Sequence, residues 1–259
     1  MKVVCDTNIW YRLHANPNIF NKKGDLKLVL TFNTLNEFAQ SSNMVNHPIF
    51  YKSVAKAIIN HHDQTILHNP FHHIKVIDDI NWKTTSRLGE KLYEEVKLLA
   101  FTPDEDIIEY LNNNGDKLSN EISNSHSDLD IGTEHANNLL QQVKREVKSI
   151  PKNRFRGLDL MKDIKNLISK MVEQQIRCSL SDNFDWSKLE LFIEVIDYYF
   201  KDLALQSKSK IEPNDWIDLF NLVYVNPGIK YWTYEKKWIR IIDDRINQSK
   251  YLFKPQLGS

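Results

Sequence analysis

Five carboxylates stand where a turn leads into a helix: Asp6, Glu37, Asp215, Asp218 and Glu235. Asp6 ends the β-branched run Lys2 to Cys5, and Glu37 lies in the first turn after the apolar run Leu26 to Phe32. Asp215 and Asp218 open a helical segment one turn apart, and Glu235 follows the run Ile229 to Thr233. In an open parallel sheet the functional crevice lies at the carboxyl ends of the strands, so these acids are expected to converge on one rim. Carboxylates a few ångströms apart repel, raising at least one pKa or requiring a counter-charge. A divalent cation supplies that charge, and oxygen donors favour Mg²⁺ or Mn²⁺ over zinc or copper. An ion of that kind lowers the pKa of a bound water and stabilises the leaving oxygen of an in-line displacement, which is phosphodiester hydrolysis.

Each acid also has a purely structural reading. Asp6 could cap the first helix, and Thr34-Leu35-Asn36-Glu37 fits a capping box that would make Glu37 a partner of Thr34. Asp215 and Asp218 could be a cap and a first-turn acid favoured by the helix dipole, and Glu235 a solvated turn charge. Singly the two readings balance, and the joint placement favours the site.

The elements that must position the acids follow from periodicity. Lys2 to Cys5 is expected as a strand, stopped by Asp6, Thr7 and Asn8 before the helical spacing of Ile9, Trp10 and Leu13. Leu26 to Phe32 is a second strand, after which Asn33 or Thr34 caps a helix. A helix over Tyr51 to Asn60 precedes a third strand at Ile74 to Ile77. From there to about residue 205 only helical patterns follow: Thr84 to Ala100, Pro103 to Asn113, Thr133 to Ser149, Leu158 to Leu180 and Trp186 to Leu205. Polar breaks such as Asn112-Asn113-Asn114-Gly115 separate them. Alternation then returns, with a helix over Pro213 to Val225, the turn Asn226-Pro227-Gly228, a strand over Ile229 to Thr233 and a helix over Lys236 to Asn247. The expected architecture is an α/β domain with a parallel sheet, built from residues 1–78 and 206–259, and a helical insertion over 79–205.

These segments resemble the PIN-domain family. V-V-C-D-T-N-I-W is similar to its opening strand and Asp-Thr-Asn triplet; L-T-F-N-T-L-N-E-F to its second motif, bearing Glu37; and N-D-W-I-D-L-F-N-L-V-Y-V to its third, with Asp218 the better counterpart and Asp215 an addition. K-Y-W-T-Y-E-K-K-W resembles the final strand ending in Thr, one residue and Asp, with Glu235 in place of the aspartate. The resemblance covers residues 1 to about 78 and 206 to 247. It implies a three-layer α/β/α sandwich and a Mg²⁺- or Mn²⁺-dependent endoribonuclease acting on RNA. Asp6, Glu37 and Asp218 would be the principal metal ligands, joined by Asp215 and Glu235. Thr233 would orient a ligand or water, and Asn8 would hydrogen-bond within the site. Many members of that family are toxins restrained by an inhibitory protein partner. Two other readings stand beside it: a catalytically idle module that binds RNA or protein, and a DNA-directed flap-type nuclease sharing the sheet and acidic rim.

Composition sets the frame. Of 259 residues 41% are apolar, enough to bury a core, and 34 basic residues balance 34 acidic ones, so no global basic field attracts nucleic acid and local patches must hold it. Cys5 and Cys178 have no paired spacing, and no apolar run suits a signal peptide or a membrane span, so a cytoplasmic protein is expected. The histidines at 61, 62, 68, 72 and 73 are read as surface or packing residues rather than as a transition-metal site. Lys152, Arg154 and Arg156 around Phe155, and Lys236, Lys237 and Arg240 around Trp238, are basic–aromatic groupings that could hold phosphates and stack bases; a solvated face with a buried aromatic fits the first equally and the second better.

Overall fold

The structure is a computed structural model that describes residues 1–16, 25–83, 86–124, 134, 137–145, 160–206 and 209–255. Its sheet has four parallel strands in the order β3-β2-β1-β4: β1 (Lys2–Cys5), β2 (Lys27–Thr31), β3 (Gln64–Ile66) and β4 (Ile229–Trp232). β1 is central because it is apolar on both faces. Val3, Val4 and Cys5 are wholly buried, as a strand covered from two sides requires. The register sets Val4 against Val29 on one side and Tyr231 on the other. Beyond β4 the C-terminal segment closes the edge, with a bridge from Tyr231 to Leu252 and the Phe253 N–H donating to the Tyr231 carbonyl at 2.8 Å.

The helices are α1 (Thr7–Ala15), α2 (Phe32–Ala39), α3 (Asn43–Asn46), α4 (Pro48–His61), α5 (Pro70–Asp78), α6 (Arg87–Phe101) and α7 (Asp104–Asn124). There follow a stretch over 137–145, here α8, and α9 (Met161–Ile176), α10 (Glu190–Ala204), α11 (Pro213–Asn221) and α12 (Lys236–Arg240). α12 continues as a π-helical turn, Ile241–Arg245. The fold is α/β, consistent with a three-layer sandwich. The described part of 79–205 is helical or irregular, with no strand. Its helices pack directly on the sheet-flanking ones: α6 on α2 and α4, α9 on α5, and α10 on α11. One continuous core joins Val3, Leu30, Val96, Phe192 and Trp216 across these groups. No helix among the described residues is long and apolar enough to cross a membrane.

Four local expectations are corrected. The third strand is Gln64–Ile66, and Ile74 to Ile77 lies in α5. Asn69 caps α5, its side chain accepting the His72 N–H at 2.9 Å, and Pro70 starts the first turn, so the apolar residues are a helix face. Asn112-Asn113-Asn114-Gly115 does not break α7, which runs through to Asn124; the Asn114 amide donates to the Tyr110 carbonyl one turn back, at 3.0 Å. The cap of α2 is Thr31, whose hydroxyl accepts the Thr34 N–H at 3.3 Å, not Asn33 or Thr34. The helix expected over Pro213 to Val225 ends at Asn221 and tightens into a 3₁₀ turn, Leu222–Tyr224, as helix C-termini often do. The expected helices over 133–149 and 158–180 lie partly outside the described residues, and the Lys152, Arg154 and Arg156 grouping lies wholly outside them.

Candidate active site

The chain runs β1 to β2 to β3 toward one edge and returns to place β4 on the other side of β1. The gap between β1 and β4 is therefore the topological switch point, where connections leave the sheet in opposite directions and open a crevice at the strands' carboxyl ends. Cys5 pairs with Trp232, and the Asp6 N–H still donates to the Trp232 carbonyl at 3.0 Å. Asp6 and Thr233 thus leave the sheet side by side, from opposite ends of the sequence.

Asp6 is only 3% exposed. Its carboxylate accepts the Thr7 N–H at 2.8 Å, the Asn8 amide at 2.6 Å and the Thr233 hydroxyl at 2.6 Å. The Thr233 hydroxyl in turn accepts the Glu235 N–H at 3.0 Å, and the Asn8 side-chain oxygen accepts the Tyr234 N–H at 3.3 Å. These bonds fix the exit of β4 against the start of α1. Hydrogen bonds to a carboxylate lower its pKa, yet burial outweighs them, and with the charge of Glu235 pushes Asp6 up to about 6.

Glu37 projects from α2 toward α1, and its carboxylate accepts the Thr7 hydroxyl at 2.6 Å. The capping box is not formed: the Thr34 hydroxyl donates to the Cys5 carbonyl at 3.2 Å, leaving Glu37 to the crevice. Burial pushes Glu37 up to about 7, with Asp6 and Glu235 adding to the shift. Asp218, half-buried on α11, accepts the Trp238 indole N–H at 3.0 Å. Burial first, then Asp6, Glu235 and Glu37, push it up to about 8. Glu235 is exposed at the head of α12, makes no side-chain cap bond, and acts electrostatically on the other three. α2 and α11 are tied together as well: the Asn33 amide donates to the Ile217 carbonyl at 3.4 Å, and the Thr31 hydroxyl to the Asn221 side chain at 3.4 Å.

Asp215 is placed differently. One turn before Asp218, it is held by the Lys237 ammonium and the Tyr199 hydroxyl. Lys237 also donates to the Tyr199 hydroxyl at 3.0 Å and lies 4.5 Å from the Trp238 ring centre. The pair braces Trp238, and through it Asp218.

No family model, curated protein or solved structure matches the chain.

Three contributors escaped the sequence reading: Thr7, which orients Glu37; Trp238, which orients Asp218; and Tyr231. The Tyr231 hydroxyl is fully buried beside Asp6 and Thr233, where it helps to hold the Asp6 pKa down without reaching full hydrogen-bond geometry to either. Alternation along β4 puts it on the same side of the sheet as Thr233, a signal available from the sequence. Among the described residues no three His, Cys, Asp or Glu side chains form a group ready to enclose a metal ion. No Lys or Arg pairs with Asp6, Glu37, Asp218 or Glu235 in an ion pair among the described residues.

Proposed function

We propose that the protein is a metal-dependent endoribonuclease of PIN-like build, hydrolysing RNA at the crevice between β1 and β4. The observation that carries this reading is the meeting of Asp6, Glu37, Asp218 and Glu235 at the switch point, where three carboxyls are pushed upward and no cation pairs with any of them. Capping accounts for one of the four. Asp6 caps α1, whereas Glu37 and Asp218 lie inside helices and Glu235 makes no cap bond.

Asp6, Asp218 and Glu37 would hold Mg²⁺ or Mn²⁺, with Glu235 reaching it through water. Bound there, the ion would lower the pKa of a water and neutralise charge on the phosphate. The protein's own part is orientation. Thr7, Asn8 and Thr233 fix the Asp6 carboxylate, Thr7 fixes Glu37 by its hydroxyl, and Trp238 fixes Asp218. Asp215 serves as a positioning residue for Lys237 and Trp238.

The second reading, an idle PIN-like module that binds RNA or protein, is favoured by the absence of a ready three-residue metal group among the described residues and by Glu235 in the place of aspartate. One experiment separates the two. Labelled RNA and DNA are incubated with the protein in Mn²⁺, in Mg²⁺ and in EDTA, alongside Asp6→Asn and Asp218→Asn. The nuclease reading expects ion-dependent RNA cleavage that falls by at least about a hundredfold in either variant. Cleavage unchanged in both variants would assign the acids to structure; cleavage of DNA alone would move the substrate.

A further inference from the structure

We propose that Arg12, whose guanidinium carbon lies over the ring of Tyr234, is a phosphate-binding point for a single RNA strand entering the acidic crevice, a role that rests on the ribonuclease reading above. Arg12 follows Asn8 by four residues on α1, so the two share one helix face a single turn apart. Asn8 reaches the Asp6 carboxylate with its amide nitrogen and holds the Tyr234 N–H with its oxygen. These two bonds bring the first residue after Thr233 under α1, where the Arg12 guanidinium rests 4.0 Å from the Tyr234 ring centre.

The stack leaves the guanidinium's chemistry available. Arg12 is exposed, and among the described residues no carboxylate pairs with it. A guanidinium lying on an aromatic face is held planar with its N–H edge turned outward, a fork that matches two phosphate oxygens and loses little freedom on binding them. Lys237, on the other flank, is already engaged by Asp215 and Tyr199.

The need for such a point follows from charge. The chain is neutral overall, and its crevice gathers carboxylates that repel a phosphodiester backbone. A strand that presents one phosphate to the acids must have a neighbouring phosphate held by a fixed cation nearby. Arg12 stands one helical turn from the Asp6–Asn8 bond, and the half-buried Tyr234 ring beneath it keeps the cation in place.

The test is equilibrium binding of a short fluorescent single-stranded RNA, followed by anisotropy between 50 and 200 mM KCl in constant dilute Mg²⁺, with strand integrity checked on a gel. For single strands the slope of log affinity against log salt changes by about 0.7 for each phosphate that the protein ceases to neutralise. Arg12→Gln is expected to flatten the slope by about 0.7, so that its deficit against the native protein shrinks about 2.6-fold across that salt range. Arg12→Lys keeps the slope and weakens binding, because the charge stays while the fork is removed. Tyr234→Leu behaves like Arg12→Lys, and Lys91→Gln, on exposed α6, changes neither quantity. If the native protein binds and Arg12→Gln keeps the full slope, the assignment of Arg12 is overturned while the nuclease reading stands. If the native protein binds no RNA at all, both are overturned.

Discussion

Asp218→Asn gives a prediction that requires no substrate. The Asp218 carboxyl is raised from 3.8 to about 8, so near neutral pH without a bound cation it is largely protonated, and asparagine is its close isostere. The amide oxygen still accepts the Trp238 N–H. A carboxyl with a raised folded-state pKa holds more protons folded than unfolded, so stability is fully present below the unfolded value and is lost as pH rises toward the folded one. His68, His72 and His73 work in the opposite direction: burial lowers each, His73 to about 4, so their contribution is present well above 6.5 and is lost as pH falls through that unfolded value. They are common to the native protein and the variant, so over the window from pH 6.5 to 8.5 the difference between the two isolates Asp218. Across it, linkage gives a loss of about 2 kcal/mol for Asp218 and about 1 kcal/mol for Glu37, whose value is about 7. Both side chains are half-buried, and solvent screening reduces the sum to about 1.5 kcal/mol. Urea unfolding in EDTA should show the native protein losing about 1 kcal/mol more than Asp218→Asn from pH 6.5 to 8.5. A variant whose stability changes with pH as the native protein's does would refute the electrostatic account of the site. Mn²⁺ at a hundred times its dissociation constant should then stabilise the native protein at pH 8.5 by about 2.7 kcal/mol, and the variant by much less.

Tyr231→Phe removes a buried hydroxyl that lies beside Asp6 and Thr233 without full hydrogen-bond geometry, so stability by urea unfolding should change by less than about 1 kcal/mol; a larger decrease would show that the hydroxyl is firmly bonded. Gly89→Ala, on α6, would set a methyl 2.1 Å from the Leu67 carbonyl oxygen, and the clash should outweigh the better helix propensity of alanine. A net destabilisation of about 1–3 kcal/mol by urea unfolding is expected, and a stabilised variant would mean that α6 packs less closely on the β3–α5 connection than described.

What the sequence made visible was what burial makes visible. β1 and β2 were legible because strands covered on both faces read as apolar runs. β3 was missed because Gln64–Ile66 lies at the sheet edge, only partly buried and mostly polar in type. Ile74 to Ile77 reads as a strand because three apolar residues in four fit either period, and the deciding signal is Asn69-Pro70 just upstream. The Asn-Asn-Asn-Gly segment was read as a break by propensity, yet α7 runs through it with an asparagine side chain bonded back to the helix. At the site, the ends of strands identified Asp6, Glu37 and Glu235 as neighbours. Spacing alone does not separate Asp215 from Asp218, and only the family resemblance favours Asp218; in the structure Lys237, on another helix, pairs with Asp215. Tertiary packing carries that pairing.

The balance at Asp6 argues against a structural origin for the cluster. A helix cap needs an oxygen at the first turn, which Asn or Ser supplies without charge. Asp6 accepts three short hydrogen bonds that should lower its pKa, and still its carboxyl ends above its ordinary value, because burial and Glu235 outweigh them. A sequence selected only for capping gains nothing by adding Glu37, Asp218 and Glu235 around such a group, since each addition raises the cost of the others' charge. The same four acids become mutually favourable once positive charge enters the crevice. On the nuclease reading proposed above, the polar bonds that hold Asp6 and Thr233 together across the chain's two ends would keep the carboxylates in place, in a setting that disfavours their ionised form in the absence of a cation.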